Sequence, residues 1–188
     1  MSSNGILYVV ALPIGNPEDI TLRAQRILSK VDVVAAEDTR TFQLFASQLD
    51  IATTKVVAYH EHNEHASSEG LIKLLEDGMK IALVSDAGTP NISDPGRLLV
   101  SRALKANITV TAIPGPSALA LALSLCPIGG NSHFFGAFPP VKTKGRRELF
   151  KQIQGVSERL VFFEAPHRSF LFDILAKDLF FPLCLGSL

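Results

Sequence analysis

KIALVSDAGTPNISDPG, residues 80–96, decides how the rest of the chain is read. Lys80–Ser85 (KIALVS) is a short aliphatic run with the length and composition of a buried strand. Ser85–Gly96 (SDAGTPNISDPG) then packs two Asp, two Gly, two Pro and three hydroxyl residues into twelve positions, with little that would fill a core. Pro90 and Pro95 stiffen it, so a merely flexible connection is the weaker reading. Leu98–Lys105 beyond it has helical spacing, which makes the whole a strand–loop–helix unit.

The same rhythm extends outward in both directions. Strands are expected at Ile6–Leu12, Val31–Ala36, Lys55–Tyr59 and Ile108–Ile113. Helices are expected at Thr21–Lys30, Arg40–Leu49, Ala66–Glu76 and Ser117–Leu125. Strands alternating with helices imply an α/β domain with a largely parallel sheet. In such sheets ligands gather at the carboxyl ends of the strands. Four polar clusters fall there: Pro13–Asp19, Glu37–Arg40, His60–Glu64 and Asp86–Gly96. After about residue 128 the texture changes. His133–Phe138, Arg159–Glu164 and Phe181–Leu185 read as strands, and Gly145–Gln154 and Ser169–Lys177 as helices. The expected organisation is an N-terminal α/β domain over 1–126 and a second over 127–188.

Composition excludes several classes. The 188 residues are 47% hydrophobic and 19% charged with no net charge, which is globular rather than disordered, collagen-like or coiled-coil. Cys126 and Cys184 are far apart and no CxxC occurs, so two buried thiols in a reducing compartment are expected. Ala106–Val141 lacks Asp, Glu, Lys and Arg, but its prolines and glycines break it well below the roughly 20 residues a membrane span needs. MSSNG has no signal-peptide character, and a cytoplasmic location is expected. Charge is uneven: residues 1–100 hold 8 basic and 13 acidic residues, residues 101–188 hold 10 and 5. The basic excess sits at Lys142, Lys144, Arg146, Arg147 and Lys151, which points to an anionic partner.

Each cluster has a plain structural reading beside a functional one. In ALPIGNPEDIT, Pro13 and Gly15 make a strand-to-helix loop with Asp19 as the cap, or they bring backbone close to a ligand; neither Walker A nor GxGxxG is present. In AAEDTR, Glu37, Asp38 and Arg40 are an N-cap and ion pair, or a carboxylate and guanidinium facing a cleft. His60 and His62 lack a third metal ligand, and no metal is expected. Asp86 and Asp94 belong to the polar loop. In IPGPSALALALS, Ser117 would cap a helix of small residues. Phe138–Lys151 (FPPVKTKGRRELFK) is a solvated basic helix, or a surface where Lys142, Arg146 and Arg147 meet phosphate and Phe138 stacks a base. In FFEAPHR, Glu164 is a turn residue or an anchored carboxylate.

Taken together, PIGNPEDIT, AAEDTR, HEHNE, LVSDAGTPNISDPG, IPGPSA, FPPVK…R and FEAPHR run in order over residues 8–168. In this the chain resembles the bacterial small-subunit ribosomal RNA 2′-O-ribose cytidine methyltransferases, a branch of the tetrapyrrole-methylase-like (class III) methyltransferases. The resemblance implies two α/β domains with S-adenosylmethionine in a cleft between them, and a homodimer. It implies methyl transfer to a cytidine 2′-hydroxyl of small-subunit (16S) ribosomal RNA. The implied cofactor set is Leu12, Pro13, Gly15, Asp86, Gly88, Thr89, Ser117 and Ala118, with Phe163 from the second domain. Glu37, Asp38, Asp94 and Glu164 stand as alternative bases, with Arg40 as a source of field. GAFPP replaces the family's usual GFLP string. Family members continue after LCLG with a polar segment, so the second domain is expected to be truncated, with part of the cofactor pocket and RNA surface missing. Two other readings stay open. One is a class III enzyme acting on a tetrapyrrole or a protein side chain, against which PIGNP stands where those relatives carry a GxGPG loop. The other is a non-catalytic RNA-binding relative.

Overall fold

The central sheet follows from side-chain alternation. In the computed structural model, which describes residues 5–127 and 130–165, five parallel strands pair in the order β3-β2-β4-β1-β5. They are β1 (Ile6–Val10), β2 (Val33–Ala36), β3 (Val56–Ala58), β4 (Lys80–Val84) and β5 (Thr109–Ile113). Val34, Ala36, Ala82 and Val84 face one side, with Ala24 and Leu28 of α1 (Leu22–Leu28) and Phe42 and Ala46 of α2 (Thr39–Gln48). Val33, Ala35, Ile81 and Leu83 face the other, with Leu71 and Leu75 of α3 (Glu64–Glu76) and Leu99 and Ala103 of α4 (Arg97–Lys105). A sheet covered on both faces is why β4 reads as a continuous apolar run. Each buried leucine contributes roughly 1.5–3 kcal/mol.

Strand order determines where loops meet. The connection leaving β1 leads toward the β2–β3 edge, and the one leaving β4 leads to β5 on the opposite edge. β1 and β4 are neighbours, so their outgoing loops diverge and leave a crevice at the carboxyl edge.

Caps explain the helix starts. Thr21 Oγ1 accepts the Ala24 amide at 3.1 Å, so Thr21 caps α1 rather than Asp19. Asp19 instead ends a short 3-10 turn, Pro17–Asp19, which Asn16 caps. Asp38 caps α2 through the amides of Arg40 and Thr41.

By internal contacts the chain divides after Ala118 into two compact units, 1–118 and 119–188. α5 (Ala118–Leu125) begins at that division. The second unit contains β6 (His133–Phe135), α6 (Thr143–Ile153) and β7 (Arg159–Val161), with β6 and β7 parallel. Phe150 and Ile153 of α6 are buried beside Leu160 and Phe162. Both strands are shorter than expected. Ala137 takes a left-handed backbone (φ 52°), which ends β6, and a Cβ on Gly136 would collide with the Phe162 ring. The expected turn at Pro166-His167, helix Ser169–Lys177, strand Phe181–Leu185 and Cys184 lie outside the described residues.

Candidate functional site

The loops leaving β1, β4 and β5 are sewn together at the carboxyl edge. Leu12 and Gly88 exchange both backbone hydrogen bonds, at 2.9 and 3.0 Å, as an isolated antiparallel bridge. Gly88 has φ 74°, which a side chain would strain. Next to it the Thr89 hydroxyl donates to the Pro116 carbonyl at 3.0 Å, immediately before Ser117 and Ala118. Leu12, Gly88, Thr89 and the Pro116–Ala118 segment thus form one rim, with Pro13 buried behind it and Gly15 in an exposed turn. The Leu12 side chain is buried in the core beneath this rim, which offers main-chain groups, the small side chains of Ser117 and Ala118 and, from the neighbouring Asp86, a carboxylate. The set suits a molecule with a flat heterocycle and hydroxyl or ammonium groups.

Beside the rim, carboxylates converge from two strands. The Asp38 amide donates to Asp86 Oδ1 at 3.1 Å, and the Asp86 amide donates to Glu37 Oε2 at 3.3 Å, tying the ends of β2 and β4. Glu37 and Asp94 line a cleft of about 540 Å³ together with His60, Glu61, His62, Glu64 and Arg97. Burial pushes the Glu37 carboxyl above its ordinary value; the Asp86 amide opposes this, while the carboxylates of Asp86, Asp94 and Glu61 add to it. Burial also raises Asp94, with the Ser85 hydroxyl working against the rise and Asp86 reinforcing it.

Asp38 and Arg40 differ from that pair and correct an expectation. The Asp38 carboxylate accepts from the Arg40 amide at 2.8 Å and the Thr41 amide at 3.3 Å. Its pKa is lowered by the Arg40 amide first, then by the Arg40 side chain and the Thr41 amide. A carboxylate used as a cap and held ionised is a poor proton acceptor. Arg40 Nη2 lies 3.4 Å from Asp38 with its side chain 87% exposed, a solvated pair rather than a cleft wall.

The second unit overturns two more expectations. Arg146, expected on a phosphate-facing surface, is fully buried. Its Nη2 lies 2.8 Å from Glu164 Oε2 in a buried ion pair, and its Nε donates to the Pro140 carbonyl at 2.7 Å. Glu164 is therefore committed to a guanidinium and is no longer a candidate base. Lys142, Lys144, Arg147 and Lys151 are exposed. Phe163 packs edge-on against Phe135 and Phe138, at centroid distances of 4.9 and 5.7 Å. Phe138 is 52% exposed.

Two contributors escaped the sequence reading. Arg97 lines the acidic cleft, and its one signal is its position just after the polar loop. Phe135 supports Phe163, and no local pattern marks it. Among the described residues, no group of three His, Cys, Asp or Glu side chains is arranged to hold a metal ion.

The profile of the tetrapyrrole (corrin/porphyrin) methylases matches residues 6–180. The chain belongs to this methylase family. Proteins named ribosomal RNA small subunit methyltransferase I are similar to it. The one from Micromonospora olivasterospora is 45% identical over 168 residues, 89% of this chain and 53% of the relative. The one from Escherichia coli O157:H7 is 44% identical, covering 89% and 58%. The one from Halalkalibacterium halodurans is 47% identical, covering 87% and 56%. This methylase chain thus spans about half the length of the curated relatives it matches. Uroporphyrin III C-methyltransferase from Thermus thermophilus has a similar structure, with a TM-score of 0.60, 23% identity, and coverage of 93% of this chain and 76% of that one. At that identity the likeness concerns the methylase fold alone. No helix among the described residues is long and apolar enough to cross a membrane.

Proposed function

We propose that the chain carries the methyl-transfer site of an S-adenosylmethionine-dependent enzyme that modifies the ribose 2′-hydroxyl of a cytidine in small-subunit ribosomal RNA. The observation that carries this reading is the 44–47% identity, over 87–89% of the chain, to relatives named for that RNA. The exposed basic row on α6 beside the exposed Phe138 supports it, because phosphates and an unstacked base need those two chemistries. A cytoplasmic homodimer is part of the proposal, as the family resemblance implies.

The rim fits the cofactor by the kind of group it presents. Ala118 would flank a heterocycle, the main chain at Thr89 would read its edge, and Asp86 would take a ribose hydroxyl or the ammonium, while the Leu12–Gly88 bridge holds the rim in shape. When bound, the cofactor supplies a methyl group on a sulfonium for in-line displacement. The protein must orient the ribose oxygen and receive its proton. Glu37 is assigned that proton. It is half-buried, lies in the cleft, and sits among carboxylates that raise its proton affinity. Asp94 on the facing loop keeps the field around it negative. Asp86 holds Glu37 through its amide, so the proton acceptor and the cofactor-side carboxylate move as one piece.

The test uses methyl-labelled S-adenosylmethionine and undermethylated small ribosomal subunits, followed by nucleoside mass spectrometry of the digested RNA. 2′-O-methylcytidine is the expected product. Cofactor binding with no label in RNA would sink the RNA reading and favour a small-molecule or protein substrate.

A further inference from the structure

The guanidinium of Arg146 touches two pieces of chain that are separate in sequence. Nε holds the Pro140 carbonyl, and Nη2 faces Glu164. Pro140 follows Phe138 by two residues, and Glu164 follows Phe163 directly. The Phe163 amide in turn donates to the Ala137 carbonyl at 2.8 Å. The two rings that meet edge-on, Phe138 and Phe163, are thus each anchored within two residues of one buried cation. The exposed Lys142 caps α6, and the exposed Lys144 and Arg147 lie in its first turns.

We propose that Arg146 is a positioning residue: it fixes Phe138 and Phe163 as one stiff aromatic edge beside the basic row, so that a planar ligand ring meets a preformed surface. The guanidinium holds its donors on separate nitrogens in a rigid planar fork, so it reaches two separated acceptors that the compact ammonium of lysine would span less well. A buried ion pair is weak support for stability in itself, since apolar replacement of both partners is often neutral. Burying a charge to aim two other side chains is the better account of why a basic stretch turns one arginine inward.

The identity of the ligand, but not the clamp, rests on the methyltransferase reading. The test separates the two. The chain has no tryptophan, so Phe138→Trp introduces a single reporter. In that background Arg146→Met with Glu164→Met removes both charges and leaves neither partner stranded; far-UV circular dichroism checks the fold. The expected result is greater acrylamide quenching of the reporter and an S-adenosylmethionine dissociation constant raised about tenfold. Arg146→Lys should recover part of both. Unchanged quenching and affinity in the folded double variant would overturn the proposal. Should the unsubstituted chain, with Phe138 in place, bind no S-adenosylmethionine, the methyltransferase reading fails, and the quenching comparison alone decides on the clamp. If the double variant does not fold, quenching in Arg146→Lys decides: an increase supports the clamp, and none overturns it.

Discussion

Glu37 and Glu164 are both shielded glutamates that follow short strands, yet their surroundings are opposite. Glu37 has carboxylates for neighbours: Asp86, Asp94 and Glu61. Glu164 has a guanidinium at 2.8 Å and a side chain only 8% exposed. A carboxylate among its own kind holds a proton more readily and stays available for chemistry. A carboxylate facing buried arginine has its charge spent on holding two segments together. On the proposed mechanism the same residue type would do reactive work in one unit and mechanical work in the other, and the nearest cation is the difference.

Breaking the mechanical partner should give the largest effect. Glu164→Ala strands the Arg146 charge, and a loss of about 3–5 kcal/mol in unfolding free energy is expected from denaturant titration. A loss below about 1 kcal/mol would mean that the charge finds water instead.

That contrast was only half legible in the sequence. The α/β alternation was plain because β1, β2 and β4 are aliphatic runs closed by Pro or acidic residues. Strand order was not, since nothing local says that β4 inserts between β2 and β1. The polar loop at Ser85–Gly96 announced itself by what it lacked, and the Asp38 cap was one of two even readings. Arg146 was misread because KTKGRRELF looks like a solvated helix face. Its burial depends on Glu164 and Pro140, two partners that no window around residue 146 contains. Side chains committed by distant partners are where local pattern stops being informative.

Changing Glu37 should leave the fold and reach the rate. Glu37→Gln is expected to slow methyl transfer about 10²–10⁴-fold, the range of a positioned proton acceptor, with little change in S-adenosylmethionine affinity. Asp38→Asn keeps the cap and should leave the rate near wild type, because the proposed acceptor is Glu37 and the Asp38 carboxylate is held by the Arg40 and Thr41 amides. Equal rate losses at positions 37 and 38 would erase the distinction drawn here.

Smaller effects sharpen the comparison. Replacing Lys142, Lys144 and Arg147 by Ala should flatten the salt dependence of RNA binding by about 0.7 per lost phosphate contact, without altering stability. The smallest effect concerns pH. Glu37 and Asp94 have raised folded-state values, so the folded protein binds more protons than the unfolded chain just above their ordinary values of 4.5 and 3.8. Their ionisation therefore costs stability as pH rises through that window. Glu37→Gln should remove part of that slope, as read from melting temperatures between pH 4 and pH 7. An unchanged slope would mean that Glu37 is better solvated than its neighbours imply.

The two-rung bridge between Leu12 and Gly88 has a consequence for how a ligand would be received. A binding loop that tightens only when occupied loses part of its affinity to that ordering. Here the first loop is already laced to the fourth, and Thr89 laces the fourth to the fifth, so the rim inherits the rigidity of the sheet beneath it. Amide hydrogens at Leu12 and Gly88 should exchange with solvent on the slow timescale of the core, not the fast one of surface loops. A rim of that kind acts as a ruler: it admits a ligand of matching outline and does not reshape itself around a poorer one.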